Sequence, residues 1–382
     1  MKITVVCDVY GHDSNGVSVA AKNLINYLKD KGHEVRVLCP EESLRGQENF
    51  FIVPKRNFYC FNGYVAKNGV TLAKPVKKII EKAIDGVDII HIMLPFKLGR
   101  AAARLAHKKG IAISAGFHFL AENFSIHLKM DHVYPLNYMC YTLYHKTYKL
   151  CDCIHYVSQF CRDLYERRYG KTNGYVISNG VNETFKPSGT EIDPTGIINI
   201  LYTGRYSREK SHEVLFKAVR LSKYADRIQL ICAGDGPLKE KFIKETADMK
   251  IPPIFNFYSR EQIVEINRNS YLSVHAAEIE AEGIGCLEAI SCGTVPIISN
   301  SKKSATKYYA LCNESLFKCN DSKDLAAKID WWIEHPDKRN EYSKRYAESA
   351  LKNFDHEDCM KRMEEMLEKT IKEHYEIGRA HV

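Results

Sequence analysis

No apolar run in the 382 residues approaches the ~20 that a membrane-spanning helix requires, so no segment reads as one. The N-terminus, MKITVVCDVYG, lacks the long apolar core of a secretory leader. Its short apolar run is interrupted by Asp8 and reads as a first strand. Cysteine is present but unpatterned: the 13 cysteines are odd in number and contain no CxxC pair, only the CxC of Cys151 and Cys153. That argues against a disulfide framework or a zinc site and for reduced thiols in a cytoplasmic protein. Repeats and low-complexity tracts are missing too. The first glycine loop, Tyr10–Gly16, does not fit GxGxxG, which removes the dinucleotide fingerprint and the main support for an NAD-dependent oxidoreductase.

What is present is an ordinary globular composition, 45% hydrophobic and 27% charged, with a net charge of +8 that points to anionic partners. The length calls for two domains. Lys2–Cys7 is a buried-strand pattern, Val17–Gly32 has helical spacing closed by a glycine, and His33–Pro40 is a second strand, which together make a βαβ unit. Strand-like runs recur at Phe50–Val53, Asp88–Ile92, Ile111–Ala115, Cys153–Val157 and Tyr175–Ile177, with helices at Leu98–Lys109 and Tyr134–Leu150. A second alternating series starts at Ile197 and runs to VPIIS at Val295–Ser299. The expected fold is α/β, two Rossmann-like doubly wound parallel sheets facing a cleft. The polar, proline- and glycine-rich stretch Glu183–Ile197 marks the boundary. The domains are placed at 1–190 and 191–350, followed by a C-terminal helix at 351–375 that can return to the first domain. Asp324–Tyr375 reads as one long amphipathic stretch, and the tail 376–382 (EIGRAHV) reads as a non-native appendage.

In open α/β sheets ligands gather at the carboxyl ends of strands, so the loops there carry the chemistry. In YTGRYSREK, Arg205 and Lys210 follow a buried strand after Gly204; a guanidinium fork and an ammonium point charge converging on one place suit a diphosphate. In EGIGCLEAISCG, Gly283 and Gly285 leave backbone N–H groups uncovered at a helix start, an anion site. Glu280 and Glu288 stand at either end of that loop, where carboxylates can accept from sugar hydroxyls. Glu282 reads as orienting the loop and Glu278 as solvated. Gly16 opens the first helix, where backbone can approach a ligand closely. His118 lies just past a strand end with Glu122 four residues on, and is weighed evenly between a structural and a functional role.

With these motifs in this order the chain resembles the retaining family 4 glycosyltransferases of GT-B fold, over nearly its whole length. The matching parts are E-x7-E at Glu280 and Glu288, GR-x4-K at Gly204, Arg205 and Lys210, NGV at Asn179–Val181, and AGDGP at Ala233–Pro237. EIEAEGIGCLEAISCG and SAGFHFLAEN look like the bacterial processive and monoglycosyl diacylglycerol synthase branch, which glycosylates membrane lipids. The resemblance implies that Arg205 and Lys210 neutralise the departing nucleotide diphosphate, Glu288 holds the ribose and Glu280 the donor sugar. It gives Gly16 the diphosphate or acceptor and His118 the sugar. Catalytic roles thus fall on Glu280, His118, Arg205 and Lys210, and donor binding on Gly16, Gly204, Arg205, Lys210, Glu280, Gly283, Gly285 and Glu288. The family binds no metal, in keeping with the absence of a DxD at a strand end and of a His/Cys ligand set, so no cofactor is expected. One departure is the single glycine of NGVS (Asn15–Ser18), where paired glycines are common.

The implied function is retaining transfer of a hexose, from UDP-glucose or UDP-galactose, to a membrane lipid such as diacylglycerol or a glycolipid. A soluble or polysaccharide acceptor is the alternative within that class. Residues 57–109 combine Phe58, Tyr59, Phe61 and Tyr64 with Lys74, Lys77, Lys78, Lys82, Arg100, Arg104, Lys108 and Lys109. Such a face suits an anionic membrane surface, and equally a solvated basic face. The expected location is cytoplasmic, with peripheral contact to the inner face of the cell membrane. A non-catalytic nucleotide- or nucleic-acid-binding protein is supported only by the charge; no recognition helix or RNP-like strand is found, and no nucleic-acid partner is expected.

Overall fold

The apolar runs read as strands are short, continuous and rich in β-branched residues, the pattern of strands covered on both faces. In a computed structural model that describes residues 1–11, 16–57, 72–126, 134–189 and 191–380, they form parallel sheets. The chain makes two compact units: Met1–Asn179 together with Cys359–Val382, and Gly180–Asp358.

The first unit contains β1 (Lys2–Val6), β2 (Glu34–Cys39), β3 (Phe50–Ile52), β4 (Ile89–Ile92), β5 (Ala112–Phe117), β6 (Cys153–Tyr156) and β7 (Gly174–Val176) in the order β3-β2-β1-β4-β5-β6-β7. Its helices are α1 (Gly16–Asp30), α2 (Lys77–Ala83), α3 (Lys97–Lys109), α4 (Ala121–Ser125), α5 (Tyr134–Tyr148) and α6 (Gln159–Tyr169). The strand order reverses between β1 and β4, the place where doubly wound sheets open a ligand crevice. Asp8, just past β1, accepts from the N–H groups of Leu98 (3.1 Å) and Gly99 (2.9 Å), which ties the β1 end to the start of α3.

The second unit contains β8 (Ile198–Thr203), β9 (Ile228–Ala233), β10 (Ile254–Asn256), β11 (Leu272–His275), β12 (Ile279–Glu280), β13 (Val295–Ser299), β14 (Lys303–Ser304) and β15 (Leu316–Phe317). Its main sheet runs β10-β9-β8-β11-β13-β15, and β12 pairs with β14 in a separate ribbon. The helices are α7 (His212–Leu221), α8 (Lys239–Thr246), α9 (Arg260–Arg268), α10 (Ile284–Ser291), α11 (Ser322–Glu334) and α12 (Pro336–Phe354). Tyr202, Phe216, Phe242 and Trp332 anchor the core. Here the order reverses between β8 and β11.

The stretch Asp324–Tyr375 falls in three helices, α11, α12 and α13 (His356–Ala380), the last starting five residues after the expected 351. Pro336 cannot extend α11 but fits the first turn of α12, and the extended ψ at Asp355 ends α12. Cys359, Met360, Met363, Met366 and Leu367 of α13 are buried with Ile3, Val5, Leu24 and Leu28 in the core of the first unit. Among the described residues no helix is long and apolar enough to cross a membrane.

Candidate active site

In the second unit the β8 loop and the β11 loop leave their strands at the sheet's reversal point, and seven of the sequence-predicted residues lie on these loops or on β12 and α10, which follow β11. Lys210, at the end of a short 3-10 turn, ion-pairs with Glu280 on β12. His275, at the end of β11, places Nε2 3.5 Å from the same carboxylate. Burial by itself raises the Glu280 carboxyl, but Lys210 and His275 outweigh it and hold the group at about 2, an anion at any working pH. Arg205 lies 3.0 Å from Glu209, which also accepts from Ser207 Oγ at 2.5 Å. The contact is made by Arg205 Nη2, and Glu209 is buried.

Glycines bring this machinery together. A Cβ on Gly234 would stand 2.1 Å from the Gly204 carbonyl oxygen, and one on Gly236 2.7 Å from the Tyr206 nitrogen. The AGDGP loop therefore lies directly against the GRYS loop, and Gly204 donates to the Ala233 carbonyl at 3.0 Å. Gly283 caps α10 with φ of 83° and has Thr306 Cγ2 2.4 Å from a built Cβ, so backbone conformation and space both require glycine. A Cβ on Gly285 would press on Thr203 at 3.1 Å.

Glu288 sits in the second turn of α10, almost fully buried, and pairs with Arg260 at 2.8 Å. Burial pushes its carboxyl up, and Arg260 only partly offsets that. Arg260 also covers the Phe185 ring at 4.8 Å. Glu278 is not merely solvated: it pairs with Lys303 at 3.1 Å and accepts from Asn320 at 3.3 Å. Glu282 is buried, and its carbonyl accepts from Tyr309 at 2.8 Å.

The other two predicted residues belong to the first unit. Gly16 starts α1, and a Cβ there would meet no described atom within 4 Å, so packing does not dictate the glycine. His118 is buried just past β5, in T-shaped contact with His155 at 5.3 Å. Burial lowers its basicity first, and His155 and His91 add to that. His118 is thus a neutral member of a histidine group. Glu122 accepts from the Tyr141 hydroxyl at 2.6 Å.

Glu209, Arg260, His275 and the histidines around His118 were not singled out by sequence reasoning. Glu209 lies inside the GR-x4-K motif and was readable there. Arg260 follows Ser259, whose capping box with Gln262 opens α9, but nothing local links it to Glu288.

A family model described as Glycosyltransferase Family 4 matches residues 14–185, and one described as Glycosyl transferases group 1 matches residues 190–349. The chain belongs to glycosyltransferase family 4. As a family 4 glycosyltransferase it is 27% identical over 314 residues to the GDP-mannose-dependent alpha-mannosyltransferase of Corynebacterium glutamicum, covering 78% of this chain and 72% of that one. It is 22% identical over 320 residues to the alpha-monoglucosyldiacylglycerol synthase of Streptococcus pneumoniae, covering 78% and 71%. Among solved structures, Anabaena HepE in complex with UDP-glucose superposes with a TM-score of 0.76 at 16% identity, over 97% of this chain and all of that one (100%). That likeness concerns the fold, which is GT-B, with two Rossmann-like parallel sheets.

Proposed function

We propose that this glycosyltransferase moves a hexose from UDP-glucose or UDP-galactose to the hydroxyl of a membrane lipid such as diacylglycerol or a glycolipid, with retention and without a metal in the transfer step. The observation that carries the reading is the pairing of Lys210 with Glu280 at the β8–β11 reversal, beside Arg205 and the glycine-capped start of α10. Cations there suit a diphosphate, and a carboxylate kept ionised suits sugar hydroxyls. As the bond from C1 to the phosphate oxygen breaks, Arg205 and Lys210 take up the charge growing on the leaving diphosphate. The acceptor oxygen bonds to C1 on the same face, and its proton passes to a leaving-phosphate oxygen, so no protein nucleophile is needed. Glu280 orients the sugar and Glu288 the ribose, exchanging Arg260 for the hydroxyls. Gly16 and His118 keep the ligand roles that the resemblance gives them.

The acceptor class is supported by the diacylglycerol synthase relative and by the basic faces of α2 and α3, where Lys77, Lys78, Lys82, Arg104, Lys108 and Lys109 are exposed. Phe58, Tyr59, Phe61 and Tyr64 lie outside the described residues. The mannosyltransferase relative favours GDP-mannose as the second donor to try.

The test is nucleotide release with UDP-glucose, UDP-galactose and GDP-mannose, using diacylglycerol in anionic or neutral vesicles, with products read by mass spectrometry. One UDP-hexose should yield an α-glycolipid, faster on anionic vesicles. Lys210→Ala and Glu288→Ala should each lower kcat/KM for donor at least ~100-fold, about 2.7 kcal/mol, without unfolding. Donor kinetics unchanged in both variants would remove the site assignment, and equal turnover on both vesicles would remove the membrane contact.

A further inference from the structure

Beyond the transfer site, the first unit gathers three histidines from distant parts of the chain. In the parallel register His91 on β4 is opposite Ser114 on β5, and Gly116 on β5 is opposite His155 on β6. Residues two apart on a strand share a face. His91, Ser114, Gly116 and His155 therefore line one side of three adjacent strands. The middle strand carries only a hydroxymethyl group and a hydrogen, which leaves room between the two imidazoles. His118, just past the strand end, folds back into that room: a Cβ on Gly116 would stand 2.3 Å from His118 Nε2.

The hydrogen bonds settle which nitrogens are free. Ser114 Oγ donates to the Ile90 carbonyl at 3.3 Å, so it accepts from His91 Nδ1 at 2.9 Å and leaves the His91 lone pair on Nε2. His155 donates from Nε2 to the Ile177 carbonyl at 2.7 Å and keeps its lone pair on Nδ1. His91 Nε2, His155 Nδ1 and His118 Nε2 are all buried without a hydrogen-bond partner. One ring nitrogen from each of the three residues lies within 4.8 Å of those of the other two. Buried nitrogens are rarely left unpaired, and here three are left together.

We propose that His91, His118 and His155 form a site for one divalent transition-metal cation of the zinc class. Three neutral imidazoles without carboxylate or thiolate suit zinc, copper, nickel or cobalt rather than magnesium or calcium. Ser114 Oγ and the Ile177 carbonyl are the outer partners that orient metal-binding histidines. A tetrahedral cation at ~2.0–2.1 Å from each nitrogen brings them to roughly 3.4 Å apart, a contraction His118 supplies from beyond the strand end. A water fills the fourth position. A cation on Nε2 leaves Nδ1 of His118 protonated and able to donate, so the site does not depend on the transfer reading and does not compete with it.

The test uses the untagged full chain, freed of metal by chelation and titrated with Co2+, then Zn2+. One equivalent of Co2+ should bind and give the visible bands of a tetrahedral nitrogen site, which Zn2+ abolishes. His91→Ala/His155→Ala should remove the bands. Gly116→Ala, whose Cβ would stand closest to the His118 ring, should weaken binding at least ~10-fold. His33→Gln, in the surface group His33, Glu364 and Glu368, should leave them unchanged. Wild-type protein without stoichiometric binding tighter than ~100 μM overturns the site, whatever the variants do. So does binding that survives the double variant or is lost in His33→Gln.

Discussion

A buried histidine with neither nitrogen partnered is costly, about 1–3 kcal/mol per unsatisfied group. His212 is such a residue: both its nitrogens lack partners, and its ring lies 4.1 Å from Tyr202 and 5.0 Å from Phe242. Burial depresses its pKa to about 3, and nearby Lys210 adds to the effect. The unfolded chain, titrating near 6.5, binds the proton more readily than the folded one. Stability is therefore retained above that value and lost as pH falls from ~6.5 towards ~3, by at most about 1.4 kcal/mol per unit. His212→Phe should flatten that part of the profile and be neutral or stabilising at pH 7, as read by denaturant unfolding at pH 7 and 5. An acid slope unchanged by the substitution would contradict the assignment. Glu280 and Glu288 were legible because their chemistry is written into a fixed local spacing. His275 and Arg260 were not, because their partners lie 5 and 28 residues away along paths that only the fold defines.

At the scale of the element, glycine motifs conceal two different demands. Gly283 serves the start of α10 through its positive φ, whereas Gly285, Gly234 and Gly236 make room for neighbouring chain, Thr203 for the first and the GRYS loop for the other two. Gly234→Ala must push the Gly204 carbonyl away and tilt Arg205 with it. The expected result is a loss of about 2–3 kcal/mol in stability, as for other overpacked sites, together with weakened donor use. Gly16→Ala, which meets no described atom, should leave stability within about 0.5 kcal/mol. Thermal unfolding of the two variants side by side tests both expectations. Strands were readable because parallel, doubly covered strands are continuous apolar runs. The β12–β14 ribbon and β15 escaped notice because two-residue strands have no periodicity to detect. The breaks at Pro336 and Asp355 were hidden because α11, α12 and α13 each keep an amphipathic pattern across them.

For the whole molecule, α13 is the element with the widest reach. Fully burying five side chains such as Cys359, Met360, Met363, Met366 and Leu367 is worth roughly 1.5–3 kcal/mol each for the larger ones. The sum rivals the 5–15 kcal/mol that holds a whole domain together. Residues 1–179 alone should therefore fail to unfold cooperatively, while residues 180–358 alone should give one sharp transition. Hydrogen exchange and near-UV dichroism of the two fragments decide it; a cooperative 1–179 fragment would refute the claim.

That arrangement also sets an order of events during synthesis. Translation at about 5–20 residues per second places the start of α13 roughly 9 to 35 seconds behind residue 179. Through that interval the nascent first sheet has its strands but not the helix that seals its core. The unit made second is free to finish first. The opening half of the chain waits on its last stretch, with apolar surface that a chaperone could hold.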